Sequence, residues 1–347
     1  MARGKKTGRI ILFTLFALAA FAVWRLFGSN TDFEEKRKSF YIKTGSSFDD
    51  VVTGLDDQKI LKNPGTFKLV AKQLDYEEKV KPGKYVIEKG SSIFDVVRIL
   101  RSGRQTAVNL VINKFRTKED LAKKIASSFE CDSTEIMKVL NNNDSLTRYG
   151  LDTNTVMTAI IPNTYNVLWT TPAPRIFKRL YEEHEVFWND ERRKKAAGLN
   201  LTTPQVYTLA SIVEEETNRD ADKGKIASVY LNRLESGMRL GADPTVKFAM
   251  KDFGLKRIYH KHLAYPSPYN TYLNSGLPPG PICTPSAKTI DAVLNSPVTS
   301  YLYFVAKPEF NGYSNFATNY TEHLQYAKAY QRALDSLIKS KQDSTAP

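Results

Sequence analysis

Cysteine and histidine are scarce in this chain of 347 residues, and the scarcity removes whole function classes. Two cysteines, Cys131 and Cys283, make neither a disulfide scaffold nor a zinc site, and they read as two buried thiols. Of four histidines, His260 and His262 flank Lys261 without a carboxylate or thiol at ligand spacing, so neither a metal nor a cofactor is expected. Negative charge is also in short supply. Asp and Glu number 37 against 50 Lys and Arg, a formal net charge of +13. Such a balance favours an anionic partner: nucleic acid, a phospholipid surface or an anionic polymer. The basic clusters Lys36-Arg37-Lys38, Lys123-Lys124 and Arg192-Arg193-Lys194-Lys195 are scattered and form no aromatic-interleaved patch, which argues against nucleic acid.

Apolar content of 41% with 25% charged residues is ordinary for a folded protein, and the length suits two or three domains. Arg3, Lys5, Lys6 and Arg9 precede an uncharged run from Ile10 to Trp24, extended by Leu26 and Phe27 past Arg25. At about 1.5 Å per residue, Ile10 to Phe27 just spans a hydrocarbon core of about 30 Å, with Arg25 snorkelling outward. The basic flank belongs in the cytosol, so the chain beyond about residue 30 lies outside it. Ala20-Phe21-Ala22 keeps a cleaved signal peptide as the rival reading. Continued hydrophobicity through Val23, Trp24 and Phe27 favours an uncleaved anchor. Asp32 to Lys38 reads as a short polar linker.

An internal repeat follows. Gly45-Ser46-Ser47-Phe48-Asp49-Asp50-Val51-Val52 matches Gly90-Ser91-Ser92-Ile93-Phe94-Asp95-Val96-Val97, and each copy follows an aromatic-led strand, Phe40–Lys43 or Tyr85–Ile87. Ser47 with Asp50, and Ser92 with Asp95, are helix-capping patterns, so each unit reads as strand, tight turn, helix. Further on, Val108 to Ile112 is expected as a strand, and Thr117 and Asp132 open two short helices. A long helix from Ala173 to about Gly198 is expected to serve as scaffold.

The stretch from Thr203 to Leu240 holds the candidate chemistry. Thr203 caps a helix with Pro204 at its first position, and Val206, Leu209, Ala210 and Val213 form one buried stripe. At about 100° per residue, Glu215 points away from the stripe and Glu214 and Glu216 sit on its shoulders. Three acids in a last turn oppose the helix macrodipole, a broken local rule that points to function as readily as to a solvated acidic end. Asp222 and Gly224 precede a second amphipathic helix stopped by Gly237. Beyond it come Met238-Arg239-Leu240, Asp243-Pro244-Thr245-Val246, Tyr269-Asn270-Thr271-Tyr272, the Gly276–Pro281 loop and Tyr301-Leu302-Tyr303-Phe304-Val305.

In this order the segments resemble the YceG/MltG family of endolytic murein transglycosylases, from the N-terminal membrane segment to about Asn319. The resemblance implies an α+β chain: cytoplasmic tip and transmembrane anchor over 1–30, linker over 31–39, and a LysM-like α/β region with the repeat over 40–106. A middle α/β subdomain over 107–172, a catalytic transglycosylase domain over 173–341 and a tail over 342–347 complete it. It assigns the catalytic acid, the first glutamate of Ala210-Ser211-Ile212-Val213-Glu214, to Glu214; geometry alone leaves Glu214 and Glu216 even. Glu216, Asn232, Arg233, Asp243, Tyr269, Asn270 and Tyr272 are the substrate-contact candidates, each with a structural alternative: Glu216 as a partner of Arg233 or Arg239, and Asp243 as an N-cap ahead of Pro244. Aromatic faces with amide groups suit a glycan's CH faces and N-acetyl groups. Asn163 of Pro162-Asn163-Thr164-Tyr165 stands where the family has an acid, and an amide cannot act as a base.

The expected activity is cleavage of the β-1,4 bond between N-acetylmuramic acid and N-acetylglucosamine of nascent strands, giving 1,6-anhydromuramyl ends. The expected setting is the inner membrane, single-pass, N-terminus cytoplasmic, catalytic domain on the periplasmic side. Peptidoglycan strands are the expected substrate, with cell-wall synthases as candidate partners. Two rivals stand beside it: a non-catalytic murein-binding scaffold, and a hydrolase using Glu216 or Asp243 as a second carboxylate.

Overall fold

The computed structural model describes residues 2–343, without the side chains of residues 2–8, 22 and 340–343. The basic side chains of Arg3, Lys5 and Lys6 and the tail from residue 344 lie outside the described residues. The helices are α1 (Ala2–Phe27), α2 (Phe48–Asp57), α3 (Pro64–Gln73), α4 (Ile93–Ser102), α5 (Lys118–Ala126), α6 (Ser133–Leu140), α7 (Asn143–Leu146) and α8 (Ala173–Phe187). They continue with α9 (Asp190–Gly198), α10 (Thr203–Glu216), α11 (Asp220–Glu235), α12 (Asp243–Met250), α13 (His260–Leu263), α14 (Ala287–Leu294) and α15 (Tyr320–Asp343). Six short strands, β1 (Arg37–Ile42), β2 (Gly83–Glu88), β3 (Val108–Val111), β4 (Thr164–Val167), β5 (Tyr303–Ala306) and β6 (Ser314–Ala317), form three two-stranded sheets. The class is mixed α+β, and the chain divides into two units: 1–110 with 128–131 and 166–172, and the remainder.

In the first unit, β1 and β2 pair antiparallel with Phe40 opposite Tyr85. The two copies of the sequence repeat open α2 and α4 with full capping boxes, Ser47 with Asp50 and Ser92 with Asp95. Each box satisfies two of the amide donors that a helix start leaves open. The helices bury Val51, Leu55, Val96 and Leu100 against Phe40, Ile42, Tyr85 and Ile87, with α3 adding Phe67. Residues 31–39 are no linker. Phe33 is in the core, Thr31 bridges to Leu61, and β1 begins at Arg37. One apolar residue in an otherwise charged run was enough to fold it in. Arg9–Phe27 of α1 is long and apolar enough to cross a membrane. Arg25 does not snorkel freely: its Nη2 donates to Thr66 Oγ1 at 3.3 Å, and the Phe27 ring lies 5.3 Å from that of Phe94.

The second unit is built around α10. Every residue from Val206 to Val213 is buried, so the single stripe expected for this helix is replaced by burial on all sides. Helices α9, α11, α12 and α14 surround it. The polar residues on it are satisfied internally: Ser211 Oγ donates to Thr208 O and accepts from Ile282 N, and the Tyr207 hydroxyl donates to Ile160 O. The cap is Thr202 and not Thr203, because Thr202 and Gln205 form a reciprocal box and Pro204 falls inside the first turn. The long scaffold helix is two helices, since the Asn189 side chain accepts from Arg192 N and starts α9 afresh. Asp222 and Gly224 lie inside α11, which starts at Asp220 and ends ahead of Gly237, whose φ of +66° suits glycine. Cys131 and Cys283 are both buried thiols.

Thr202→Ala removes a side-chain acceptor from α10 and is expected to lower stability by about 1 kcal/mol in urea unfolding. Thr203→Ala, one residue along, is expected to stay within a few tenths. Equal effects of the two would show that the box does not hold the helix start.

Candidate active site

Three consecutive carboxylates end α10, and successive side chains on a helix point about 100° apart. Each therefore meets a different neighbourhood. Glu214 Oε2 accepts from Ser286 Oγ at 3.2 Å and from the Thr289 hydroxyl, both at the start of α14, and lies 3.5 Å from Lys223 Nζ on α11. Only 15% of the Glu214 side chain and 8% of the Lys223 side chain are exposed. All three contacts fall on Oε2, so Oε1 stays outside this donor set. Asp220 pairs with the same ammonium at 2.9 Å, which keeps Lys223 from being a lone buried charge.

The helical spacing turns Glu215 away from the buried stripe, but not into solvent. Instead it forms ion pairs with Lys114 at 3.0 Å and Arg116 at 2.8 Å, and only 13% of its side chain is exposed. Burial alone would raise its carboxyl, but Arg116 and Lys114 outweigh that and hold it below the usual range. Residues 113–116 are pinned over it from another part of the chain: Phe115 N donates to Thr284 Oγ1, and Thr284 N donates to Phe115 O.

Glu216 lies on the opposite side of the turn. Its Oε1 accepts from the Tyr230 hydroxyl at 2.5 Å. Burial pushes this carboxyl up to about 7, with Asp243 adding to the rise, while Tyr230, Arg233 and Lys247 act in the other direction. Among the described residues no hydrogen bond joins Glu216 to Arg233 or Arg239. Arg233 instead donates to Leu302 O and Leu240 O, and Arg239 to Tyr272 O. Asn232 spends both amide hydrogens on Thr299 O and Tyr301 O.

Of the remaining candidates, Asp243 and Tyr272 lie close enough to Glu216 for charge to be felt between them. Asp243 does not cap α12; Ala242 occupies the N-cap position, and the exposed Asp243 carboxylate accepts from the Tyr272 hydroxyl at 2.6 Å. Asn270 is wholly buried and holds its own loop, donating to Leu263 O and Tyr265 O and accepting from Tyr272 N. Tyr269 packs its ring 4.8 Å from that of Phe248. Asn163 accepts from Thr164 N and reaches Glu183. His262 Nδ1 accepts from Tyr259 N, while His323 stacks on Tyr303. Among the described residues no cluster of His, Cys, Asp and Glu could hold a metal ion.

The supporting shell was absent from the sequence-based list. Lys223, Ser286 and Thr289 meet Glu214 from two other helices, and Lys114 and Arg116 are about a hundred residues from Glu215. Two of them carry a local signal: Lys223 is a cation within ten residues of the acids, and Ser286 stands where a serine caps the next helix, and it does accept from Thr289 N. Chemically, the turn offers one carboxylate fixed through a single oxygen, one locked in ion pairs, and one that holds its proton near neutral pH.

The YceG-like family matches residues 40–329. The endolytic murein transglycosylase of Bacillus subtilis is 28% identical over 311 residues, covering 83% of each chain. That of Streptococcus pneumoniae strain R6 is 26% identical over 321 residues, 81% of this chain and 56% of its own length. A crystal structure of a YceG-like protein from Listeria monocytogenes aligns at a TM-score of 0.57 and 27% identity, covering 84% of this chain and 99% of its own.

The raised Glu216 carboxyl has a consequence for stability. The folded state binds this proton more tightly than the unfolded chain, so its contribution is full below about pH 4.5 and is lost as pH rises through about 7. Glu216→Gln removes the titration. Relative to the parent it is expected to gain up to about 3 kcal/mol between about pH 5 and about pH 8 in urea unfolding. A pH-independent difference would mean that the carboxyl titrates normally.

Proposed function

Because this chain belongs to the YceG-like family, we propose that it is an endolytic murein transglycosylase, a lyase that cuts peptidoglycan glycan strands internally. Glu214 is the catalytic acid and base of this reading. The carrying observation is its carboxyl group, half-dry at the end of a buried helix and held through Oε2 alone. Protonated on Oε1, it gives its proton to the glycosidic oxygen as that bond breaks. The negative charge left behind is shared with Oε2, where two hydroxyls and an ammonium already wait. The muramyl C6 hydroxyl then attacks its own anomeric carbon and returns a proton to Glu214. Tethering of that nucleophile removes entropy that a free water would lose, so one carboxyl suffices where hydrolases use two. The product is a 1,6-anhydromuramyl end, and no water is consumed.

Asp243, Tyr272 and Tyr269 wall the substrate side in this reading, while Asn232, Arg233 and Asn270 fix the loops that carry it. Residues 40–106 are taken as LysM-like, supported by their twice-used strand and capped helix. Helix α1 anchors the chain in the inner membrane with the enzymatic unit on the periplasmic side, close to newly made strands and to the synthases that make them.

A second reading places the acid at Glu216, favoured by a carboxyl that keeps its proton up to about 7. One experiment separates them. The full chain in detergent is incubated with peptidoglycan, and the released muropeptides are analysed by mass spectrometry. Anhydro products are expected, reduced at least about a thousandfold in Glu214→Gln and still formed by Glu216→Gln. The reverse pattern would move the acid to Glu216. Products carrying an added water would indicate a hydrolase, and no release at all a murein-binding scaffold.

A further inference from the structure

A small cavity of about 50 Å³ opens beside the last turn of α10, room for a few waters or one carboxylate-sized group. Its lining mixes apolar residues, Pro244, Phe248, Phe253 and Ile282, with three charged ones, Arg116, Glu215 and Lys247. The charge does not balance. Arg116 and Lys247 line the cavity, Lys114 pairs with Glu215 from nearby, and among the described residues Glu215 is the only carboxylate in an ion pair with any of the three. Lys247 makes no ion pair or side-chain hydrogen bond among the described residues, although its charge is felt at Glu216. Arg116 is already aimed. It donates through Nε and Nη2 to Glu215 and lies 5.1 Å over the Phe253 ring, so its remaining edge is held still. A pre-oriented guanidinium, an uncommitted ammonium and aromatic walls that thin out water make an anion site.

We propose that this cavity binds a carboxylate carried on the muramyl side of the glycan. The proposal rests on the transglycosylase reading, which supplies the ligand class. Of the two sugars in the strand only the muramyl residue bears a carboxyl, through its lactyl ether, either free or extended into a peptide stem with acidic groups of its own. Glu215 lines the cavity and is the chain neighbour of Glu214, so the cavity lies at the same last turn of α10 as the acid, within the span of a muramyl residue and its lactyl ether. Lys247 is then a specificity-determining residue. It registers the strand so that the muramyl and not the glucosaminyl bond meets the acid.

The test measures binding apart from turnover. Full-length Glu214→Gln in detergent is titrated calorimetrically with a stem-free muramyl tetrasaccharide, its methyl ester, and a stem-bearing counterpart whose lactyl group is amide-linked. The free acid is expected to bind about tenfold tighter than the ester, as one charge-assisted contact would give. Adding Lys247→Met is expected to erase that preference, and Lys247→Arg to keep most of it. Lys247 dependence confined to the stem-free ligand identifies the lactyl carboxylate, and dependence with the stem-bearing ligand identifies a stem carboxylate. Equal binding of acid and ester together with Lys247-independent binding of the stem-bearing ligand, equal weakening of all three by Lys247→Met, or no binding of any of the three overturns the proposal. The anhydro-product assay on the wild-type chain judges the transglycosylase reading separately.

Discussion

The rest of the second unit depends on keeping the end of α10 dry while three acids stand on it. Negative charge in a last turn is disfavoured by the helix dipole, and burying a carboxyl without partners costs several kcal/mol. The chain meets this by giving each acid its own answer. Two hydroxyls and a lysine meet Glu214, two cations meet Glu215, and Glu216 keeps its proton beside a tyrosine hydroxyl. Because the three side chains diverge, no partner serves two of them. The answers must come from three directions, and this explains why α11, α14 and residues 113–116 all converge on one turn.

Convergence of that kind has a geometric cost in chain length. The residues against Glu214 are separated by more than sixty positions, from Lys223 to Ser286, and those against Glu215 precede it by about a hundred. Loops that bring them in cannot be held by ladders, since the sheets of this unit are only two strands wide. They are held by side chains instead. Thr284 exchanges hydrogen bonds with Phe115, and Asn232 donates twice to the chain at 299 and 301. Such side-chain-to-backbone contacts fix a loop without demanding a regular partner.

Local features were legible in the sequence for a physical reason: they are decided within a few residues. The paired capping boxes of the first unit, the Ser286 cap and the glycine stop at Gly237 all read correctly, because a cap is a contact between neighbours. Two local features were still misread, the cap of α10 by one residue and the break that Asn189 makes ahead of α9, and the other errors arose where distant chain decided the matter. Glu215 read only as turned away from the stripe, because nothing near it in sequence announces Lys114 and Arg116. Residues 31–39 read as a linker because Phe33 gave no sign of reaching the core. Asp243-Pro244 matched a capping pattern, yet the Tyr272 hydroxyl drew the carboxylate away. The position of the acid-bearing helix end was legible; the partner set of each acid was not.

That division bears on how amides near such a site should be read. Asn232 and Asn270 look from sequence like groups for sugar N-acetyl contacts, and their chemistry is right for it. The NH2 groups of both are instead committed to backbone carbonyls, and Asn270 is wholly buried. An amide so committed could turn to a ligand only by leaving two carbonyls unpaired, at a cost of about 1–3 kcal/mol for each group left unsatisfied. The groups with capacity to spare beside the acids are of another kind: the exposed Asp243 carboxylate with its tyrosine, and the uncommitted Lys247 ammonium. The capacity left at this helix end is therefore charge and aromatic surface, with the amides serving to keep those surfaces in place.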